Sequence, residues 1–83
     1  MEEKQIGAVD HFFGNISVGM IKLTDALKVG DKIHIKSKAA DFVQEISSMQ
    51  IDRVPAQEGK AGDVISVKVD QKVRQGDMVY KVE

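Results

Sequence analysis

With 83 residues, no cysteine, 42% apolar and 30% charged residues, the chain holds one small core and cannot lean on disulfides or thiolate metal sites. Its net charge of −1 excludes a global pull toward nucleic acid or anionic lipid, so any such contact needs a local patch. The apolar runs are shorter than a membrane span, and Met1-Glu2-Glu3-Lys4 is not the start of a signal peptide, so a cytoplasmic protein with no membrane contact is expected.

Residues 1–5 are polar and expected to fray. Ile6-Gly7-Ala8-Val9-Asp10-His11-Phe12-Phe13 reads as a first strand, with Gly7 marking a close backbone approach or a bend. Phe12 and Phe13 must face opposite ways in it, so alternation buries at most one. Gly14-Asn15 signals a hairpin. The second strand then alternates, with Ile16, Val18 and Met20 on one face and Ser17, Gly19 and Ile21 on the other. Thr24-Asp25-Ala26-Leu27 has room for one helical turn capped by Thr24, too short to shape the fold.

Lys32-Ile33-His34-Ile35-Lys36 points both isoleucines inward and His34 outward into solvent. A polar loop over 37–41, with Lys38 close to Lys36, leads to a longer strand over 42–51. Its apolar phase slips, Phe42 and Ile46 sharing one parity, Met49 and Ile51 the other, and a β-bulge is expected there. Val54-Pro55-Ala56 is expected to end the pairing, since proline has no N–H to donate. Ile65, Val67 and Val69 face inward in a fifth strand against Ser66 and Lys68, and residues 78–82 make the sixth. No low-complexity stretch or linker divides the chain, so 1–83 is one domain.

Between these strands one pattern occurs three times: Lys28-Val29-Gly30-Asp31, Lys60-Ala61-Gly62-Asp63 and Arg74-Gln75-Gly76-Asp77, each with a branched apolar residue two places later. Glycine takes the positive φ of a tight turn, and the aspartate accepts hydrogen bonds from nearby backbone N–H groups. Structural duty in a turn is therefore assigned to Gly30, Asp31, Gly62, Asp63, Gly76 and Asp77. These turns and strands predict an all-β, mostly antiparallel, six-stranded closed barrel, because closure removes exposed edges in a small domain without staples. An open barrel or a sandwich has the same strand count.

No catalytic constellation is written in the chain. His11 and His34 lack partners at metal-ligand spacing, so no metal is expected. Gly59-Lys60 lacks the remaining parts of a phosphate-binding loop, so no nucleotide cofactor is expected either. Ser47-Ser48 has no base near it in sequence. The lysines and arginines are interspersed with acids, which reads as a mixed surface, although loops gathered at one barrel end would form a modest basic patch.

The segments Ile6-Gly7-Ala8-Val9, Leu27-Lys28-Val29-Gly30-Asp31-Lys32-Ile33-His34-Ile35, residues 46–51 and Lys60-Ala61-Gly62-Asp63 run in an order that resembles domain two of translational GTPases of the elongation factor Tu type. That resemblance implies a Greek-key barrel. In those factors the barrel helps hold the acceptor end of charged tRNA through a glutamate, whose position here is Gln50. A basic position three places on matches Arg53, and an apolar pocket position of the fifth strand falls on Lys68. An Arg-Gly pair after that strand is replaced by Asp70-Gln71. The resemblance thus implies RNA, tRNA or a ribosome-associated protein as partner, with Gln50, Arg53 and Lys68 as the contact residues and no GTPase activity of its own. The last third, with Val67-Lys68-Val69-Asp70-Gln71-Lys72-Val73 and Gly76-Asp77-Met78-Val79-Tyr80-Lys81, also resembles the C-terminal barrel of collagenase-like peptidases. That second resemblance implies a non-catalytic adaptor or accessory barrel docking on a separately encoded enzyme.

Overall fold

Side chains alternating in and out along short β-branched stretches build the domain from strands alone. The computed structural model describes residues 3–37 and 41–82, and these form ten strands and no helix. They are β1 (Glu3–Phe13), β2 (Val18–Leu23), β3 (Leu27–Lys28), β4 (Lys32–Lys36), β5 (Asp41–Glu45), β6 (Met49–Ile51), β7 (Val54–Ala56), β8 (Glu58–Gly59), β9 (Val64–Lys68) and β10 (Met78–Val82). Eight of them make one antiparallel sheet in the order β5-β4-β10-β1-β2-β9-β6-β7, while β3 pairs with β8. Ile6, Val9, Ile21, Ile33, Ile65 and Val79 lie on its inner face at 2% exposure or less. Each such side chain contributes about 1.5–3 kcal/mol when fully buried.

The three Gly-Asp turns share one geometry. In each, the first carbonyl accepts the aspartate N–H at 3.0–3.1 Å, and the glycine φ is +94° to +97°, as in a type II turn. The aspartate carboxylate then accepts the N–H of the first turn residue, at 2.9 Å in every case (Asp31 from Lys28, Asp63 from Lys60, Asp77 from Arg74). Each turn also docks on one buried residue elsewhere. The glycine N–H donates to that residue's carbonyl and its N–H donates to the aspartate carbonyl, all at 2.8 Å. The docking residues are Ile46 for Gly30 and Asp31, Leu23 for Gly62 and Asp63, and Val9 for Gly76 and Asp77.

Several expectations are corrected. The backbone ladder does not close: β5 and β7 are its two edges, so the domain is an open-ordered antiparallel sheet rather than a six-stranded closed barrel. The strand expected over 42–51 stops at Glu45, because Ile46 turns its backbone to Gly30 and Asp31, and β6 starts afresh at Met49. The phase slip is therefore a break, not a bulge. The bulges lie in β1 instead, between Gln5 and Gly7 and between Val9 and His11. Pro55 does not end pairing; it sits opposite Gln50 in edge strand β7, where a missing N–H leaves the sheet intact. Glu3, Lys4 and Gln5, expected to fray, pair with Val82, Lys81 and Tyr80. Residues 1–2, 38–40 (Lys38 included) and 83 lie outside the described residues. The Thr24 turn is a bend leading into β3, where the Asp25 carboxylate accepts the Ala26 N–H.

Across the seam that the ladder leaves open, a side chain acts in place of the backbone. Gln44 of β5 is only 7% exposed. Its Nε2 donates to the Lys68 carbonyl and its Oε1 accepts the Asp70 N–H, both at 2.8 Å.

Candidate functional site

Both faces of β2 are apolar, and the core takes only one. Gly19, Ile21 and Leu23 turn inward, leaving Val18 and Met20 on the outer face of the sheet. Register carries that face across four strands: His11 of β1 lies opposite Met20, Met20 opposite Ser66 of β9, and Ser66 opposite Gln50 of β6. A groove of about 480 Å³ opens over this row. Val18, Met20 and Val64 form its apolar floor, and Phe13 and Ile16 flank it from the β1–β2 hairpin. Gln50, Ser66, Asp52 and Arg53 supply the polar groups. Phe13 is 39% and Ile16 58% exposed. The His11 ring braces Phe13 at a centroid distance of 4.6 Å. Phe12, on the opposite side of the strand, packs against the core.

The far rim is conformationally costly. Asp52 and Arg53 form the two-residue turn between β6 and β7, with φ of +51° and +65°. This is the geometry of hairpin turns that normally carry Asn-Gly or Asp-Gly. A side chain in the left-handed region costs roughly 1 kcal/mol or more, so Arg53 holds its guanidinium at the rim at the expense of stability. Among the described residues no carboxylate pairs with Arg53 or Lys68.

Of the three residues singled out by sequence, Gln50 and Arg53 line this groove together. Lys68 is exposed on the same outer face of β9, opposite Val18, but outside the lining. The groove floor was not foreseen. Its one signal is the second apolar face of β2, Ile16, Val18 and Met20. Gln44 was missed as well, although it stands in the same inward parity as Phe42 and Ile46.

A separate cluster lies on the outer face of β4. His34 is not a freely solvated histidine: Nδ1 meets the Glu3 carboxylate at 2.7 Å and Nε2 meets that of Asp41, leaving its side chain 14% exposed. The Asp41 hydrogen bond, then that of Glu3, pushes the His34 pKa above the ordinary histidine value. With both ring nitrogens engaged, His34 ties β4 to the outer ends of β1 and β5 rather than serving as an open base or ligand. Lys4 similarly holds the Asp25 carboxyl below the usual range. Among the described residues no three or more histidine, aspartate or glutamate side chains are grouped to hold a metal ion.

No family model matches the chain. It is 40% identical over 77 residues to an uncharacterized protease of Methanocaldococcus jannaschii, covering 92% of this chain and 19% of that protein. The chain thus spans about a fifth of that relative's length. Among solved structures, the C-terminal domain of a putative U32 peptidase from Geobacillus thermoleovorans superposes with a TM-score of 0.90 at 13% identity, over 96% of this chain and 93% of that one. The bacterial selenocysteine-specific elongation factor EF-Sec superposes with a TM-score of 0.76 at 20% identity, over 94% of this chain and 15% of that one. At these identities the structures establish a shared fold. Of the two likenesses expected from the sequence, what is present is a fold shared with a translation factor and with a peptidase C-terminal domain.

Proposed function

We propose that the chain is a non-catalytic accessory β-domain of the kind found at the C-terminus of U32 peptidases, and that it docks on a peptidase-type protein through its outer face. The observation that carries this is the pair of matches to peptidase sequences and structures: 40% identity to a stretch of the M. jannaschii protease, and a fold nearly coextensive with the U32 C-terminal domain. The groove between the β1–β2 and β6–β7 hairpins supplies an apolar surface of the size a partner's side chains fill. Capture on the immobilised chain from a native lysate, with and without nuclease, tests the reading. Nuclease-resistant recovery of a peptidase, identified by mass spectrometry, supports it; recovery of no peptidase overturns it.

A second reading, contact with RNA or a ribonucleoprotein, is favoured by one arrangement. An exposed Phe13 able to stack a base shares a groove with Gln50 and Arg53, on a fold also found in EF-Sec. Asp52 on the same rim and the net charge of −1 weigh against it. Binding that disappears with nuclease would favour this reading over the first.

A further inference from the structure

We infer that the outer-face groove takes an extended protein segment that presents an apolar side chain next to carboxylates, with Arg53 as the residue that selects the charge. The inference deepens the accessory-domain reading and rests on it for the identity of the partner. Four observations lead there. The floor made by Val18, Met20 and Val64 is apolar and faces outward, where the fold has no use for it. Gln50, Asp52 and Arg53 lie on the β6–β7 side of that floor, so an occupant must be amphipathic in the same sense. Arg53 carries a charge with no carboxylate partner among the described residues, and Lys68 and Lys22 extend the cationic character along the outer faces of β9 and β2. Finally, the Arg53 backbone is in a conformation that glycine would adopt at lower cost, so the guanidinium is carried at the groove rim by a strained turn.

Among the described residues Asp52 is the one carboxylate of this rim, set against Arg53 in the lining and Lys22 and Lys68 on the neighbouring outer faces, so the charge complement of the whole face is acidic. Guanidinium binds carboxylate through paired N–H donors that the Gln50 amide and the Ser66 hydroxyl can supplement. The two hairpins flank the groove without roofing it, which suits a segment running through rather than an enclosed small molecule.

The test is an NMR titration of the whole chain with two synthetic octapeptides, acetyl-Gly-Ser-Leu-Phe-Asp-Asp-Ser-Gly-amide and its Asn-Asn counterpart. Saturating amide shifts at Met20, Gln50 and Ser66 are expected for the acidic peptide, with Val43 on the distant edge strand β5 unmoved. Affinity should fall about fivefold or more for the Asn-Asn peptide and for Arg53→Gln. Arg53→Gly, which relieves the turn and so folds at least as well, should lose the same discrimination. Equal affinity for the two peptides, absence of saturable shifts, or tighter binding of a short RNA at the same amides would overturn the inference. So would nuclease-resistant capture of a peptidase undiminished by Arg53→Gln, which leaves the accessory-domain reading standing and moves its contact elsewhere. Selective acidic-peptide binding with no peptidase captured has the opposite meaning: the groove chemistry holds and the choice of partner fails.

Discussion

Replacing Gln44 by leucine tests whether one buried amide joins the two sides of the seam that the backbone leaves open. The residue is 7% exposed, and its two hydrogen bonds, to the Lys68 carbonyl and from the Asp70 N–H, are both 2.8 Å long. Two such bonds contribute a net of about 2 kcal/mol. Stranding a partly buried carbonyl and N–H adds about 1 kcal/mol, and the extra apolar surface of leucine offsets a similar amount. A loss of about 2 kcal/mol is therefore expected, against a total of about 4–12 kcal/mol for a domain of this size. In urea that lowers the midpoint by about 1.5–2 M, and in a thermal scan it lowers Tm by roughly 8–16 °C. Exchange of the Asp70 amide should accelerate about 25-fold if it opens through this seam. Gln44→Glu sharpens the test: the carboxylate still accepts the Asp70 N–H but faces the Lys68 carbonyl without a donor, so its deficit should shrink as falling pH protonates it. A Gln44→Leu protein within about 0.5 kcal/mol of the parent, with the Asp70 amide equally protected, would refute this account of the seam.

The remaining expectations concern the glycine, histidine and aspartate positions. An alanine at position 7 would place its Cβ 2.5 Å from the Lys22 backbone carbonyl oxygen, so Gly7→Ala must push β1 off β2 and should cost about 2–3 kcal/mol by denaturant unfolding. The His34 pKa is raised in the folded state, so its contribution to stability is complete below the unfolded value near 6.5 and is lost as pH rises through the folded value. Stability measured from pH 5.5 to 9 should therefore decline over that window, and His34→Gln should flatten the decline. Removing the turn carboxylates one at a time, as Asp31→Ala, Asp63→Ala and Asp77→Ala, should cost about 1 kcal/mol each at the half-buried Asp31 and Asp63 and more at Asp77, which is 6% exposed. Unequal losses in the reverse order would contradict the shared geometry.

What was legible in the chain was local. Alternation located β2, β4 and β9 because side-chain direction follows from the backbone of each strand alone. The Gly-Asp turns could be recognised because glycine φ and aspartate acceptance act within four residues. Long-range pairing was not legible. Nothing in residues 42–51 shows that Ile46 will bond the turn at Gly30 and Asp31, so a broken strand read as a bulged one. Closure failed for the same reason, since a strand order depends on partners rather than on propensity. The site was half visible. Gln50 and Arg53 stood out through a family resemblance, whereas the floor beneath them needed a decision about which apolar face of β2 the core would take.

The docking partners of the three Gly-Asp corners also imply an order of assembly. Gly30 with Ile46 lies inside the span from Leu23 to Gly62, and that span lies inside the one from Val9 to Gly76. The three contacts are thus nested like concentric hoops, and closing an inner hoop shortens the chain still free for the next. Assembly that starts at the innermost hoop works outward to the one joining the first and last strands. Chevron kinetics should then show slower folding for Asp31→Ala and faster unfolding for Asp77→Ala, and the opposite pattern would exclude an inside-out order.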